Sequence, residues 1–355
     1  MRDIIVIGAS AGGVEELIRL SRRLPPGLPA AIFVVLHISP DAPGLLPKIL
    51  QRRSSFKVKF PQDQEPVVPG TMYIASPDHH LVLSPTSVHL SHGPKVNRMR
   101  PSVDTLFCSA ARAFGSRVIG VILSGTGSDG TYGLQTIKES GGITIVQDPE
   151  EALFTGMPSS ALEQITVDYV TPVSNMIPLF EQLVSGDLSP NRDRSQSETR
   201  ITKEQGTDNV RSASSTDTRN LRQDKETFNQ DGKDSTPRTL LTCPECGGVL
   251  WETTQGKLVQ YACQIGHTFS EHSLYNSQGE TLEEALWMAV RTLDERATLS
   301  RRLAHRAGEH GHPLTRDQLL RRAEEAEKSA TVIREIVSHS KVVYSPDAEA
   351  TETLD

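Results

Sequence analysis

The chain has 355 residues, a formal net charge of -7, 36% hydrophobic residues and 23% charged residues. That length accommodates two or three domains with a sizeable core, the acidic balance argues against a globally basic nucleic-acid binder, and no apolar run reaches the roughly 18 residues that span a bilayer. No basic leader or small-residue cleavage site precedes a first strand expected at about Asp3, so a cytoplasmic protein without membrane insertion is expected.

From Met1 to about Val184, apolar runs rich in β-branched residues alternate with amphipathic segments: IIVIGA, VEELIRLSRRL, AAIFVVL, then VIGVILS, GLQTIKES and GITIVQD. This rhythm predicts an α/β domain, residues 1–184, with a doubly wound, mostly parallel sheet covered by helices on both faces. Between its halves, Val67–Leu90 is broken by Pro, Gly and Ser and reads as a local antiparallel excursion. His79 and His80 read as part of a turn there.

Residues 185–238 hold ten basic and ten acidic residues but only five large apolar ones, too few to offset the entropy of ordering. They are expected to form a disordered linker, which predicts that the two halves of the chain act independently. A small Cys/His module, 239–275, follows. Next come a helical hairpin, 276–340, and a flexible tail, 341–355. In the hairpin, Leu282, Leu286, Val290, Leu293 and Ala297 recur at helical spacing, and GEHGHP interrupts the pattern before a second helix resumes at Thr315. Trp251 and Trp287 are expected in cores, the alternative being an interface.

The opening stretch IIVIGASAGGVEEL departs from the G-x-G-x-x-G of a dinucleotide site by carrying Ser10 between Gly8 and Gly12. It places a hydroxyl on a tight strand-to-helix turn. At the end of the second strand, where a ribose-binding acid belongs in a dinucleotide site, stands His37. Asp129 follows the strand VIGVILS in the glycine-rich loop SGTGSDG. All three therefore issue from the same sheet edge, where doubly wound sheets bind ligands. A serine needs a base to attack, a neutral imidazole can be that base, and a carboxylate can hold the imidazole in the correct tautomer. Backbone N–H groups just after Ser10, at Ala11, or in the loop around Thr126 are candidates for stabilising an oxyanion.

Toward the C-terminus, CPECGG supplies Cys243 and Cys246 at C-x2-C spacing and CQIGH supplies Cys263 and His267. This Cys3His set suits a structural zinc with no open coordination position. The alternative is a metal-free hairpin with incidental cysteines.

In order along the chain, GASAGG, VVLHISP, VNRMRPSVDTLF, LSGTGSDGTYGL and DPEEALFTGMPSSAL resemble the catalytic domain of CheB-type protein-glutamate methylesterases of bacterial chemotaxis, over about residues 3–184. The resemblance implies that Ser10, His37 and Asp129 are nucleophile, base and orienting acid. It implies hydrolysis of glutamate γ-methyl esters on methyl-accepting chemoreceptor-like proteins, glutamine deamidation as a related activity, no catalytic cofactor, and a cognate methyltransferase or signalling protein as a further partner. Arg98 and Arg100 fall in the matching NRMRPSVD segment. They either orient an acidic receptor surface or line the cleft, and the alternative for Arg100 is a purely structural pairing with a carboxylate such as Asp104. Ala11 stands where many relatives have threonine and Thr126 where many have methionine. No receiver domain is expected before the first strand. The competing function is a regulatory or scaffold protein that docks partners through its C-terminal modules.

Overall fold

The structure is a computed structural model that describes residues 2–186, 238–255 and 258–343. Most of the expected linker, and the tail beyond Val343, lie outside the described residues. The described chain forms two compact units, one ending at Ser270 and the other beginning at Glu271.

In the first unit, β1 (Ile4–Ala9), α1 (Gly13–Arg23), β2 (Ala31–Leu36), α2 (Leu46–Gln51) and β3 (Lys57–Lys59) begin the alternation. β4 (Glu65–Pro66), β5 (Thr71–Ile74), β6 (His80–Leu83) and β7 (Ser87–Ser91) follow. Then come α3 (Val103–Phe114), β8 (Val118–Ile122), α4 (Thr131–Glu139), β9 (Ile143–Gln147), α5 (Gly156–Gln164), β10 (Tyr169–Thr171) and α6 (Val173–Ser185). Seven strands make one parallel sheet in the order β10-β9-β8-β1-β2-β5-β3.

The central strands are apolar at every position because both faces are covered. In β1, Ile5, Ile7 and Ala9 enter one apolar cluster with Leu17, Leu20 and Phe180, while Ile4 and Val6 enter the opposite cluster with Phe107 and Leu134. Helix α3 approaches β1 so closely that a Cβ on Gly8 would lie 2.2 Å from Val103 Cγ1, so a glycine is required there. The antiparallel excursion is a sheet of β4, β7 and β6, but β5, within the same stretch, pairs with β2 in the main sheet. Four buried residues in a row explain its place, since the core sheet has two covered faces.

The sheet is extended from β1 toward β2 on one side and toward β8 on the other. Its switch point is therefore between β1 and β8, and a crevice is expected outside their carboxyl ends.

The same unit also contains an antiparallel ribbon with strands in the order β11 (Arg238–Thr242), β12 (Val249–Gln255), β13 (Leu258–Cys263), β14 (Thr268–Ser270). Leu258 of the ribbon is buried in the apolar cluster that contains Val6 and Phe107. This is a departure from the independence inferred from the linker.

The second unit is a hairpin of α7 (Glu271–Glu309) and α8 (Pro313–Val343). Helix α7 starts at Glu271, before the expected start, because a helix interior tolerates Gly279 at a cost of about 1 kcal/mol. Helix α8 starts at Pro313, whose fixed φ suits a first helical position. The buried stripe is Val290, Ala297 and Ala304 on α7 against Ala323, Ala330 and Val337 on α8, with Arg301–Glu327 and Arg334–Asp294 ion pairs in the same antiparallel register. Small residues at seven-residue spacing allow this close approach. Trp287, expected in the core, is 43% exposed, and Leu282, the first of the helically spaced apolar residues, is 61% exposed. Among the described residues, no helix is long and apolar enough to cross a membrane.

Candidate active site

Ser10 and His37 are the first residues beyond two adjacent parallel strands. The Ser10 N–H donates to Ser124 O at 3.0 Å, and the His37 N–H donates to Ala9 O at 3.1 Å, so both residues are held as continuations of β1 and β2. After Ser10 the chain turns through Gly12, at φ 75°, into α1. The third edge is the loop after β8. There a Cβ on Gly125 would lie 2.9 Å from Ser10 Cβ and 2.2 Å from Met157 Sδ. Only a glycine lets the loop backbone pass this close to the serine.

Asp129, in that loop, is 4% exposed. Its Oδ2 accepts from His37 Nε2–H at 2.8 Å and from Val103 N–H at 2.7 Å. Its Oδ1 accepts from Ser102 Oγ–H at 2.9 Å, Asn97 Nδ2 at 3.0 Å and Asp104 N–H at 3.2 Å. The carboxylate is thus received by the first N–H groups of α3, which have no partner within the helix and carry the positive end of its dipole. Burial alone would raise the Asp129 carboxyl, but the hydrogen bond and charge of His37, helped by Asn97 and the Val103 N–H, bring it down to about 2. A charged Asp129 accepts only, so the His37 proton it receives sits on Nε2. His37 Nδ1, also buried, has no hydrogen-bond partner among the described residues. An imidazole with one nitrogen anchored to a carboxylate and the other free beside a serine-bearing edge is arranged to accept a proton.

A second carboxylate supports the first. Asp104 Oδ1 accepts from the Gly130 and Gly133 N–H groups at 3.0 and 2.7 Å, and Oδ2 accepts from Asn97 Nδ2 at 2.8 Å. Burial, and then the nearby charge of Asp129, push Asp104 well above the ordinary carboxylate range. Asn97 and Ser102 are not singled out in the sequence, and Asp104 is named there only as a partner for Arg100. The available signal was the serine immediately ahead of a helix with an acid in its first turn, a capping pattern whose N–H groups here bind Asp129.

Ala11 and Thr126 flank the serine on the two loops, and their N–H groups donate to no acceptor among the described residues. Arg100 does not pair with Asp104. Its guanidinium binds Asp78 at 2.7 and 2.8 Å and donates to Gly93 O, because Asp104 is already enclosed by backbone donors. Arg98 is 3.7 Å from Glu245 of the ribbon. His80 is not in a turn but begins β6. It is buried, its Nε2–H donates to Pro94 O, its Nδ1 accepts from Ser102 N–H, and burial pulls its imidazole below the ordinary value.

The ligand atoms of Cys243, Cys246, Cys263 and His267 all fall within 4.8 Å of one another. Cys246 and Cys263 Sγ are 3.7 Å apart, and His267 Nδ1 is 3.7 Å from Cys243 Sγ and 3.5 Å from Cys263 Sγ. Metal–sulfur and metal–nitrogen bonds of about 2.3 and 2.0 Å around a tetrahedron give edges of roughly 3.5–3.8 Å, which these separations match. Two tight turns build the set: Gly247 N–H donates to Cys243 O at 2.7 Å and Gly266 N–H to Cys263 O at 2.9 Å.

The CheB methylesterase family model matches residues 5–180. A Leptospira interrogans protein provisionally named protein-glutamate methylesterase/protein-glutamine glutaminase is 38% identical over 187 residues, covering 52% of this chain and 97% of that protein. An Anaeromyxobacter dehalogenans protein-glutamate methylesterase/protein-glutamine glutaminase is 41% identical over 174 residues, 49% of this chain and 51% of its own. The crystal structure of the Thermotoga maritima CheB methylesterase catalytic domain superposes with a TM-score of 0.50 at 37% identity, covering 52% of this chain and 99% of that domain. With nearly the whole of two relatives matched at this identity, the chain belongs to the CheB methylesterase family.

Proposed function

We propose that the protein hydrolyses γ-methyl esters of glutamate side chains on methyl-accepting chemoreceptor-like proteins, with Ser10 as nucleophile, His37 as general base and acid, and Asp129 as the group that orients His37. The observation that carries this reading is the His37–Asp129 hydrogen bond, which leaves Nδ1 unpaired at the sheet edge that also presents Ser10. Ser10 Oγ attacks the ester carbonyl as its proton passes to His37 Nδ1, and the carbonyl π electrons move onto oxygen. Asp129 stabilises the imidazolium without taking its proton. The Ala11 and Thr126 N–H groups are the proposed donors to the oxyanion. Collapse of the intermediate breaks the bond to the methoxy group, which leaves as methanol with the His37 proton. Water then repeats the sequence on the acyl-serine, releasing the glutamate carboxylate. The same steps on a primary amide release ammonia, which is glutamine deamidation.

The Cys3His set is read as a structural zinc site, with all four positions filled by protein. Zinc there would neutralise thiolate charge and staple two turns of a ribbon too small to hold itself together by core alone. Arg98 and Arg100, engaged with Glu245 and Asp78, are better read as supports of the loop than as substrate contacts.

Methanol release from methylated receptor fragments tests the esterase reading. Receptor binding without methanol release would instead identify a docking protein.

A further inference from the structure

The segment between β7 and α3 touches the ribbon on one side and Asp129 on the other. Asn97, at φ 50°, is held by the ribbon through its backbone: its N–H donates to Thr268 O at 2.7 Å, and the Thr268 N–H donates to Lys95 O at 3.4 Å. The Asn97 side chain is held as well, because Oδ1 accepts from the Ser270 N–H at 2.9 Å. Ser270 Oγ is 3.0 Å from Ser128 Oγ, one residue before Asp129. Glu245, between Cys243 and Cys246, is 4.0 Å from Lys95 and 3.7 Å from Arg98. His267, one of the four ligand residues, directly precedes Thr268.

The Ser270 contact selects the orientation of the amide. A backbone N–H only donates, so the carboxamide oxygen must face Ser270 and the NH2 group must face the carboxylates. Flipped, the amide would set donor against donor at Ser270 and acceptor against acceptor at Asp129, in a buried site where unsatisfied groups are costly. As placed, Asn97 Nδ2 supplies one of the donors that fix Asp129 Oδ1.

We propose that Asn97 is a positioning residue of the esterase and that the Cys3His ribbon sets its orientation, so that the ribbon governs turnover through a Ser270–Asn97–Asp129 relay. This inference rests on the catalytic roles proposed above for Asp129 and His37. The ribbon would then be part of the scaffold of the site, and loss of its metal would reach the reaction through β14. A loosened Asp129 lets the His37 ring drift from its proton-accepting pose, which slows the chemical step and leaves substrate affinity in place.

The test uses the full-length, metal-loaded protein. Asn97→Ala removes the amide, and Ser270→Pro, compared with Ser270→Ala to discount the lost hydroxyl that contacts Ser128, removes the N–H that orients it, at a position whose preceding residue is already in a strand. Asn97→Ala against wild type, and Ser270→Pro against Ser270→Ala, are each expected to lower kcat for a methylated receptor peptide by about 10- to 100-fold with KM within about threefold. The double variant is expected to be no slower than Asn97→Ala alone. A readout separate from activity is the low-field proton resonance of His37 Nε2–H, which should shift in both variants and on removal of the metal by a chelator. A folded Ser270→Pro protein with the kcat and the resonance of Ser270→Ala overturns the relay. If Ser270→Pro does not fold, chelation takes its place: it should slow the wild type but not slow Asn97→Ala further, and equal slowing of both overturns the relay. Wild-type protein that releases no methanol defeats the esterase reading instead. The relay is then judged by the resonance alone, supported if Asn97→Ala and chelation both shift it and refuted if either leaves it in place.

Discussion

Asp104 and Asp129 are bridged by a single amide: Asn97 Nδ2 donates to Asp104 Oδ2 at 2.8 Å and to Asp129 Oδ1 at 3.0 Å. Two buried carboxyls this close do not both ionise readily, and their environments separate them. His37 holds Asp129 below the ordinary carboxylate range, while burial and then the Asp129 charge push Asp104 well above it.

The separation predicts opposite pH linkage. Asp129, depressed to about 2, contributes stability that is present above its unfolded value of about 3.9 and lost as pH falls through the folded value. Asp104, raised, contributes stability that is complete below about 3.9 and lost as pH rises toward its folded value. Asp104→Asn deletes that second slope. Relative to wild type, the variant should gain up to about 1.4 kcal/mol per pH unit above pH ~4 until Asp104 ionises in the folded protein. Urea unfolding of both proteins from pH 4 to 8 measures it, and parallel stability curves would exclude a protonated Asp104.

Ser10→Ala should leave the fold intact, since Ser10 is held in place through its backbone N–H and C=O. Turnover of a methyl ester should fall by at least about 10³-fold, as expected when the nucleophile of such a site is removed. Methanol release by the variant at the wild-type rate would eliminate Ser10 as the attacking group.

Gly125→Ala should separate packing from chemistry. The added methyl would stand 2.2 Å from Met157 Sδ and 2.9 Å from Ser10 Cβ, so the loop or the serine must move. Overpacking of this kind costs about 1–3 kcal/mol of stability, and the displaced serine should lower kcat by about 100-fold. Thermal unfolding together with steady-state kinetics would show it, and unchanged kinetics would mean that the loop yields without disturbing Ser10.

Protein purified without chelator should carry about one zinc per chain, and Cys246→Ser should lower that content and the unfolding temperature together, because structural metal binding and folding are coupled. Elemental mass spectrometry and calorimetry on the same samples provide the comparison. A metal-free protein with an intact ribbon would return the cysteines to an incidental role.

Features confined to one short segment were legible in the sequence. Apolar runs marked the parallel strands because a strand covered on both faces favours apolar residues at most positions, with Thr144 and Gln147 of β9 as buried polar exceptions. Ser10 and His37 could be assigned to one edge because each immediately follows such a run, and parallel strands point their carboxyl ends the same way. The paired cysteines declared themselves by spacing, since a tight turn brings C-x2-C thiolates together. The tertiary structure alone decided contacts between distant segments: Arg100 with Asp78, the exposure of Trp287, and the Ser270 N–H on the Asn97 carboxamide, 173 residues apart. No periodicity or spacing encodes these, because they depend on where whole elements dock. The charge balance that marked 185–238 as a linker carried no information about the ribbon beyond it, whose strand β14 packs against the loop that holds Asp129 in place.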